Sequence, residues 1–315
     1  MRSTVVRRGL GVVAGAATLA GILGVATHFS RWSWEPVVLA ASLAPYLMAC
    51  ALVGVAGFAV LRQWVGAAVA VVVLAAAVWT QVPLYVRESG GDGVTVVAMQ
   101  ANLLFDGADP RALVQEVRER RVTVLTVNEL TPVAVAELGR AGLDELLPHR
   151  YLSPGRTATG TGIWSAYPLS DTVEFDGYVL NQLSATATVP QVGPVTVYAF
   201  HPVPPVYGTA VWADELSRLD AILDRAPVGR PALVGGDFNA TYDHARFRAL
   251  LSGRFGDAAD QAGAGHLVTY PTDKAYPPMV GIDHILVAGG HASSVETVTL
   301  PGADHRALVA RVHLR

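Results

Sequence analysis

The sequence has only one cysteine, Cys50, among its 315 residues. Cys50 lies within a long uncharged stretch, so the part of the chain after residue 86 can form no disulfide, cysteine-based metal site or thiol nucleophile. The sequence also has no internal repeat of fixed short period, and its only low-complexity stretches are rich in alanine and valine. Chemistry in the later part of the chain must therefore use other residue types.

Formal charge is missing from three stretches near the N-terminus. Residues 9–30 contribute 22 uncharged positions, residues 36–61 contribute 26, and residues 63–86 contribute 24. Spanning the hydrocarbon core of a bilayer takes about 20 apolar residues. The apolar region of a signal peptide is only about 7–15 residues long, and buried core helices seldom stay uncharged for so long. The sequence therefore predicts three transmembrane helices.

Basic residues predict the orientation of these helices. Arg2, Arg7 and Arg8 precede the first span, and the positive-inside rule keeps them in the cytoplasm. Three crossings then deliver everything after Tyr85 to the outer side of the membrane. We therefore expect a cell-membrane, multi-pass protein whose later part is extracytoplasmic.

The composition of the sequence changes after the third span, from apolar to polar and glycine-rich. A short, polar, glycine-rich linker, RESGGDG, occupies residues 87–93. We therefore predict a transmembrane anchor over residues 1–86 and one sizeable domain over residues 94–315. Thr131 followed by Pro132 predicts a helix start, with threonine as the N-cap. Predicted helices also cover residues 110–120 and 209–225, and predicted strands cover residues 94–100, 122–129, 184–189, 195–201, 232–238, 282–288 and 307–314. Mixed sheets covered by helices, an α/β class, follow from this alternation.

The stretch GGDFNA, residues 235–240, follows one predicted strand directly. Residues i and i+2 of a strand lie on the same face, so Asp237 and Asn239 are expected to point the same way while Phe238 turns back into the protein. The two glycines, Gly235 and Gly236, would let the backbone approach a substrate closely. An ordinary turn rich in Asp and Asn is the alternative interpretation.

Six more polar residues lie at the ends of predicted strands: Asn102, Glu129, His201, Asp283, Asp304 and His305. Each alone has a structural explanation, such as a satisfied turn, a helix cap or a histidine held by a backbone carbonyl. Together, with every apolar strand ending beside a group that can bind a metal or move a proton, they predict a shared site.

The ordered set of motifs resembles the endonuclease/exonuclease/phosphatase superfamily of metal-dependent phosphoesterases, and in particular its membrane-anchored bacterial members. The motifs, which cover about residues 94–314, are MQANLLFD, VNELTP, GTGIWSAYPL, FHPVPP, GGDFNA, IDHILV and GADHRALVARV. The resemblance implies a four-layer α/β sandwich with two packed mixed β-sheets. Asn128 stands where the family often has Gln, and Ala303 where it often has Ser.

The resemblance also implies a divalent cation. Mg²⁺ takes oxygen ligands and needs only one or two carboxylates from the protein; Mn²⁺ is a possible substitute. Glu129 is the expected first ligand, with Asn102 beside it and Asp304 completing the metal shell.

The catalytic roles implied by the resemblance fall on five residues. His305 would polarise or deprotonate the nucleophilic water, or bind the scissile phosphate as imidazolium, with Asp283 orienting its other ring nitrogen. Asp237 would serve as base, or as ligand to a second ion. Asn239 would donate to a phosphoryl oxygen, and His201 would be another phosphate donor or the leaving-group acid.

Three further residues complete the expectations for the site. Arg156 and Tyr167 would line the phosphate cleft, and Arg156 would contact substrate. Strand alternation sends His284 to the face opposite Asp283, so a core or surface position is expected for it.

Charge bears on the substrate. From Arg87 onward the chain has 18 Arg plus Lys and 25 Asp plus Glu, a net charge of −7. Proteins that grip long duplex nucleic acid usually show a basic footprint. This domain shows no such footprint in its net charge. Tethering beside a membrane makes lipid head groups and other envelope phosphodiesters candidate substrates, and nucleic acid stays open.

Two functions fit the sequence. The first is a membrane-anchored hydrolase that cleaves a phosphodiester or phosphomonoester by metal-assisted in-line attack of water. The second is a catalytically silent domain on a membrane anchor that binds or senses a phosphate ligand.

Overall fold

Four α-helices precede the first strand in the computed structural model, which describes residues 2–315. They are α1 (Arg2–Phe29), α2 (Glu35–Ser42), α3 (Ala44–Leu61) and α4 (Trp64–Gln81). Three segments, Thr4–Phe29, Ala44–Leu61 and Trp64–Tyr85, are long and apolar enough to cross a membrane. The predicted anchor begins at Met1, which lies outside the described residues.

The second uncharged stretch is not one continuous helix. α2 and α3 are separated at Leu43, and a proline lies in the first turn of α3. Proline has no N–H to donate and clashes with the preceding turn, so the two helices separate there. Farther along, α3 packs closely on α1, because a Cβ at Gly54 would lie only 2.2 Å from Oγ1 of Thr18.

The chain divides into two compact units. The first contains the helices up to Pro83 and, from much later in the sequence, the segment Tyr242–Ala245. Within this unit, Nδ1 of His28 lies 2.7 Å from Oδ1 of Asp243, and the amide of Gln81 donates to the same oxygen at 2.9 Å. The helical unit therefore holds a buried polar cluster that includes a segment distant in sequence.

The second unit, Leu84–Thr241 with Arg246–Arg315, contains every strand of the described chain. The strands are β1 (Val94–Asn102), β2 (Val124–Asn128), β3 (His149–Ser153), β4 (Thr161–Ser165), β5 (Leu169–Phe175), β6 (Gln182–Val189), β7 (Gly193–Phe200), β8 (Ala232–Asp237), β9 (Gly256–Asp257), β10 (Asp283–Ala288), β11 (Gly290–Thr299) and β12 (Arg306–Leu314). The helices of this unit are α5 (Pro110–Arg120), α6 (Pro132–Arg140), α7 (Leu143–Leu146), α8 (Thr209–Asp224), α9 (Ala245–Leu250) and α10 (Ala258–Ala262), with α9 beginning at the last residue of the segment assigned to the first unit.

Oγ1 of Thr131 accepts from the backbone N–H of Ala134, so the predicted N-cap is confirmed.

The strands form two six-stranded mixed sheets. The first sheet has the order β11-β12-β1-β2-β4-β3 and the second has the order β5-β6-β7-β8-β10-β9. Only the pairs β1–β2 and β7–β8 are parallel. The predicted architecture of two packed mixed sheets with helices is confirmed.

Alternating side chains of β1 explain how the layers pack. Val96 and Ala98 lie in the apolar cluster between the two sheets, together with Val197 and Leu233 of the second sheet. Val97 and Met99 point the other way, into a cluster with Leu113 of α5 and Leu138 of α6. The two-residue period of the strand thus buries one set of residues between the sheets and the other beneath the helices.

The strand directions bring several chain ends to one edge of the two sheets. The parallel pair β1 and β2 ends at Asn102 and Asn128. In the second sheet β8 ends at Asp237, directly opposite Asp283, where the antiparallel β10 begins. β12 runs antiparallel to β1, so it begins near the end of β1. We call this edge, where β1, β2, β7 and β8 end, the site edge.

Candidate active site

Most of the predicted site residues meet at the site edge. The first sheet and its loops supply Asn102, Glu129, Asp304 and His305, and the second sheet supplies His201, Asp237 and Asp283. Hydrogen bonds and short distances between side chains join all of them. Because the two sheets contribute comparable shares, the site exists only where the sheets are packed together.

His305 and Asp283 form the best-ordered pair. Nδ1 of His305 lies 2.8 Å from Oδ2 of Asp283, and Nε2 lies 3.7 Å from Oδ2 of Asp237. Burial by itself lowers the pKa of His305, but the carboxylates of Asp283 and Asp237 outweigh it and raise the pKa to about 10. The imidazole is therefore cationic at neutral pH, and Nε2–H faces the site. The ring of Tyr270, with its centroid 4.8 Å from that of His305, packs against it.

Asp237 is almost wholly buried at the end of β8. Its Oδ1 accepts from the backbone N–H of Asn239 at 2.9 Å, and its Oδ2 accepts from the amide of Asn102 at 3.1 Å. Burial raises the pKa of Asp237 to about 7, with His305 opposing and Asp283 adding to the shift. A carboxyl with such a pKa is suited to proton transfer near neutral pH.

Asn102 bridges two carboxylates. Its Nδ2 donates to Oε1 of Glu129 at 3.2 Å as well as to Asp237, and its Oδ1 accepts from the backbone N–H of Leu104 at 3.0 Å. In this arrangement the NH₂ of the Asn102 side chain faces the two carboxylates, and its oxygen faces the backbone of Leu104. Asn102 thereby fixes the spacing of Glu129 and Asp237.

Glu129 leaves β2 with a left-handed backbone conformation, φ 56°. Such a φ is uncommon for a residue with a side chain and is found preferentially at functional sites. Burial raises the pKa of Glu129, the hydrogen bond from Asn102 opposes this, and Asp304 adds to it. The environment of Glu129 is therefore short of positive charge.

Three buried carboxylate oxygens have the chemistry of cation ligands. Oε2 of Glu129, Oδ1 of Asp283 and Oδ1 of Asp304 have no hydrogen-bond partner among the described residues. Buried acceptors are normally satisfied, so these oxygens are free to accept from or coordinate a positive group. Carboxylate oxygens are the ligands that a hard divalent cation prefers. The residues present therefore fit a divalent metal.

A different group also has metal-ligand spacing. Ligand atoms of Asp237, Asp283 and His305 all lie within 4.8 Å of one another. His305 has Nδ1 on Asp283 and a pKa raised to about 10, and a protonated imidazole cannot bind a metal. Within this group the imidazolium itself balances the two carboxylates. Glu129 and Asp304 are left as the carboxylates that need a cation.

His201 lies deep in the site, with only 2% of its surface exposed. Its backbone N–H donates to Oε1 of Gln182, and its carbonyl accepts from Nε2 of the same glutamine, both at 2.7 Å. Burial, followed by the charge of His305, lowers the pKa of His201 to about 3. His201 is thus a neutral imidazole whose Nε2 lies 3.7 Å from Asp237.

Asn239 follows a different path from the one expected and contacts Asp237 through its backbone N–H. The strand ends at Asp237, and Asn239 takes a left-handed conformation with φ 49°, so strand alternation does not determine its direction. One N–H of its amide donates to the carbonyl oxygen of Pro202 at 3.0 Å. Phe238 points into the core, as predicted, and is fully buried.

The expected role of the two glycines was wrong. A Cβ at Gly235 would lie 2.1 Å from Oγ1 of Thr126, on the facing sheet, and a Cβ at Gly236 would lie 2.3 Å from the carbonyl oxygen of Phe200. Both glycines are therefore required by close packing of strands, and not by the approach of a substrate.

Arg156 and Tyr167 lie in different places. Arg156 is exposed in the loop after β3, whose last residue pairs with Thr161 at the site edge. Tyr167 follows β4, which runs away from that edge, and its ring packs on the apolar cluster between the sheets. The prediction that Tyr167 lines the cleft was wrong, because β4 is antiparallel to β2.

Sequence reasoning missed a polar network behind the site. The amide of Gln100 donates to Oδ1 of Asn128 at 2.6 Å, and Oγ1 of Thr126 donates to Oε1 of Gln100 at 2.6 Å. Oδ1 of Asn128 also accepts the backbone N–H of Asp237 at 2.8 Å. This last bond joins the two sheets at the site. The only available signal was the polar character of alternate residues in β1 and β2.

His284 is a buried core histidine, as predicted. Its Nδ1 lies 2.6 Å from Oδ2 of Asp257, and its Nε2 lies 2.9 Å from the carbonyl oxygen of Ala240. A carboxylate and a carbonyl can only accept, so both ring nitrogens must carry hydrogen. Burial by itself lowers the pKa of His284, but Asp257 outweighs it and the pKa is raised. The resulting imidazolium supports the chain just after Asn239.

Comparisons with known proteins concern the family and the fold. The model of the Endonuclease/Exonuclease/phosphatase family matches residues 99–305. A comparison with curated proteins finds no match.

Solved structures share the fold. D. rerio TDP2 complexed with single strand DNA product is 16% identical with a TM-score of 0.59, over 70% of this chain and 99% of that chain. An endonuclease/exonuclease/phosphatase from Beutenbergia cavernae is 18% identical with a TM-score of 0.55, over 70% of this chain and 72% of that chain. A family protein from Bacteroides thetaiotaomicron is 13% identical with a TM-score of 0.54, over 71% of this chain and all of that chain.

Proposed function

Because the chain belongs to the endonuclease/exonuclease/phosphatase family of hydrolases that act on phosphoester bonds, we propose that it is a membrane-anchored phosphoesterase that uses Mg²⁺. The reaction is in-line attack of water on phosphorus in a phosphodiester or phosphomonoester, outside the cytoplasm. Three helices of sufficient length and apolarity support the anchor.

One observation carries the proposal. A buried histidine held by a buried aspartate lies beside a second aspartate, and one carboxylate oxygen each of Asp283, Glu129 and Asp304 has no hydrogen-bond partner in the described part of the chain. Hydrolysis of a phosphoester needs a proton acceptor for water, positive groups for the phosphoryl oxygens and help for the leaving oxygen. This arrangement offers a group for each need.

Different residues of the chain accept the proton of water and donate hydrogen bonds to the phosphate. Asp237, with its pKa near neutrality, takes a proton from the attacking water. The imidazolium of His305 donates Nε2–H to a phosphoryl oxygen, and Asp283 keeps the ring oriented and charged. Asn239 donates its remaining amide N–H to the phosphate, and neutral His201 is placed to donate a hydrogen bond to the phosphate or the leaving oxygen. Exposed Arg156 is the outermost proposed substrate contact.

Glu129 and Asp304 would hold the cation, next to Asn102. A bound Mg²⁺ neutralises charge on the phosphoryl oxygens and lowers the pKa of water. The site has one cationic imidazole and four carboxyl groups, those of Glu129, Asp237, Asp283 and Asp304. Without a bound metal cation, this excess of negative charge would repel an anionic substrate. Mn²⁺, with similar oxygen preference, is expected to substitute.

Replacement of Glu129 by Gln tests the function and the metal assignment together. The full chain in detergent is expected to release p-nitrophenol from bis-p-nitrophenyl phosphate only when Mg²⁺ or Mn²⁺ is added. Glu129→Gln should lose at least about 10²-fold in kcat/KM at limiting Mg²⁺, because one ligand charge is removed, and part of the loss should return at high Mg²⁺.

Glu137→Gln is the matched control, since Glu137 lies on α6 and is partly exposed. This control should keep wild-type activity and metal dependence. A folded wild-type chain without turnover under any metal would favour the silent binding domain. Wild-type activity of Glu129→Gln at limiting Mg²⁺ would remove Glu129 from the metal site.

Reporter fusions test the proposed topology. A reporter after Arg315 should behave as extracytoplasmic, and one inserted near Arg62 should behave as cytoplasmic, because Arg2, Arg7 and Arg8 hold the N-terminus inside. Paired phosphatase and fluorescent-protein fusions give opposite signals on the two sides. A cytoplasmic C-terminus would contradict the orientation while leaving the chemistry untouched.

A further inference from the structure

Exposed apolar side chains are concentrated at the site edge. Among the described residues 94–315, ten large apolar side chains are exposed, and eight of them lie on loops or first helical turns at the site edge: Phe105, Val133, Val179, Val206, Tyr207, Val211, Tyr276 and Met279. Only Val228 lies on a loop at the opposite edge, and Val173 lies on strand β5. We call the eight residues the apolar rim.

The connections of the strands show why these residues surround the site. Phe105 comes three residues after Asn102, in a left-handed conformation with φ 60°. Val206 and Tyr207 lie in the short helical turn that follows His201, and they are 75% and 62% exposed. Tyr276, 51% exposed, belongs to the loop that leads into Asp283. Chain segments on both sheets therefore present apolar groups around the same catalytic residues.

The chemistry of the rim differs from that of a nucleic-acid groove. Single strands are bound by aromatic platforms and a positively charged groove, whereas half of the rim consists of valines, which cannot stack on bases. The domain also has a net charge of −7. Exposed apolar groups clustered around one site mark a surface that is covered in function.

We infer that the substrate is a phospholipid presented in a bilayer, an inference that rests on the proposed phosphoesterase function. A phospholipid combines the two chemistries found here, a phosphoester for the polar site and an apolar body for the rim. Tyrosine and phenylalanine suit the boundary between head groups and acyl chains, and valine suits the apolar region beneath it. Membrane-capable helices in the same chain keep the enzyme at such a surface.

The reaction balances with water alone. The oxygen of water bonds to phosphorus, one ester P–O bond of the phosphodiester breaks, and the leaving oxygen takes a proton. The products are an alcohol and a phosphomonoester.

The experiment compares a lipid with soluble esters. Full-length protein is reconstituted in vesicles of phosphatidylglycerol and phosphatidylethanolamine in equal parts, and release of head group or phosphomonoester is measured with Mg²⁺. The same preparation is assayed with bis-p-nitrophenyl phosphate, with glycerophosphoglycerol (the deacylated form of phosphatidylglycerol), and with a single-stranded oligonucleotide. The rim variant is Val206→Ser with Tyr207→Ser, and Val228→Ser at the opposite edge is the matched control.

We expect turnover of phosphatidylglycerol well above that of glycerophosphoglycerol. The rim variant should lower the ratio of lipid to soluble-diester turnover about tenfold, because two apolar side chains no longer leave water, while Val228→Ser leaves that ratio unchanged. Folding of each variant is checked by its melting temperature.

Three results overturn the inference. They are equal turnover of the acylated and deacylated diesters, an unchanged ratio in the rim variant, or hydrolysis of the oligonucleotide in preference to lipid. Failure of folded wild-type protein to cleave any diester and also p-nitrophenyl phosphate, a soluble monoester, would instead overturn the proposed function.

Discussion

His305→Ala is expected to lower kcat by roughly 10²–10³-fold or more, the loss that follows removal of one preorganised donor to the negative charge that develops in the transition state. The variant loses the Nε2–H that faces the phosphate and leaves Asp283 and Asp237 without their shared cation. Initial rates on bis-p-nitrophenyl phosphate, fitted for kcat and KM separately, provide the measurement. His313→Ala is the matched control, because His313 lies on β12, the strand that directly follows His305, and is bonded to Thr95 and Ser293. A loss confined to KM would contradict the assigned role.

The pH profile gives a second measurement of the same role. Because Asp283 and Asp237 raise the pKa of His305 to about 10, its imidazolium persists through neutral pH and is lost only as pH rises through that value. Activity should therefore fall on the alkaline side near pH 10. In Asp283→Asn the negative charge that raises the pKa of His305 is gone, so the alkaline limb of the pH profile should move to lower pH. An unmoved limb would assign it to another group.

Exchanging the chemistry of Asp237 and Asn239 is expected to be costly in both directions. Asp237→Asn keeps the shape but removes the proton acceptor, and Asn239→Asp adds a carboxylate near the substrate anion, where it also raises the pKa of Asp237. Both should lose at least about 10²-fold in kcat/KM, or roughly 2.7 kcal/mol of transition-state stabilisation.

Melting temperature separates this prediction from a turn-only role. Asp237→Asn should unfold close to the wild-type temperature. Asn239→Asp should show a modest decrease, because its carboxylate would face the carbonyl of Pro202 that the amide now contacts. If these residues only shaped a turn, kinetic effects would be small and the damage would appear in stability.

Local patterns predicted seven of the twelve strands and three of the six α-helices of the second unit. The helix beginning at Pro132, the strands that became β8 and β10, and the pairing of His305 with Asp283 were all anticipated from the residues and the family resemblance. They could be predicted because N-caps, apolar runs and ordered motifs are properties of short segments.

Features that depend on contacts between distant segments could not be predicted. The requirement for Gly235 comes from Thr126 on the other sheet, and the misplacement of Tyr167 comes from the direction of β4. Asn239 does not follow strand alternation, because β8 ends at Asp237, two residues before Asn239, and Asn239 itself is left-handed. Pairing partners and strand directions are set by tertiary packing, so no local window contains them.

The hydrogen bond from the backbone of Asp237 to the side chain of Asn128 has a consequence for how folding is monitored. It crosses from one sheet to the other at the point where catalytic groups of both sheets meet. A partly denatured chain can keep its strands and lose the fixed packing between them. Such a state would retain its far-ultraviolet circular dichroism while its reacting groups drift apart. Enzymatic activity therefore reports whether the two sheets are packed together. During denaturant titration, activity should be lost before the far-ultraviolet circular dichroism changes.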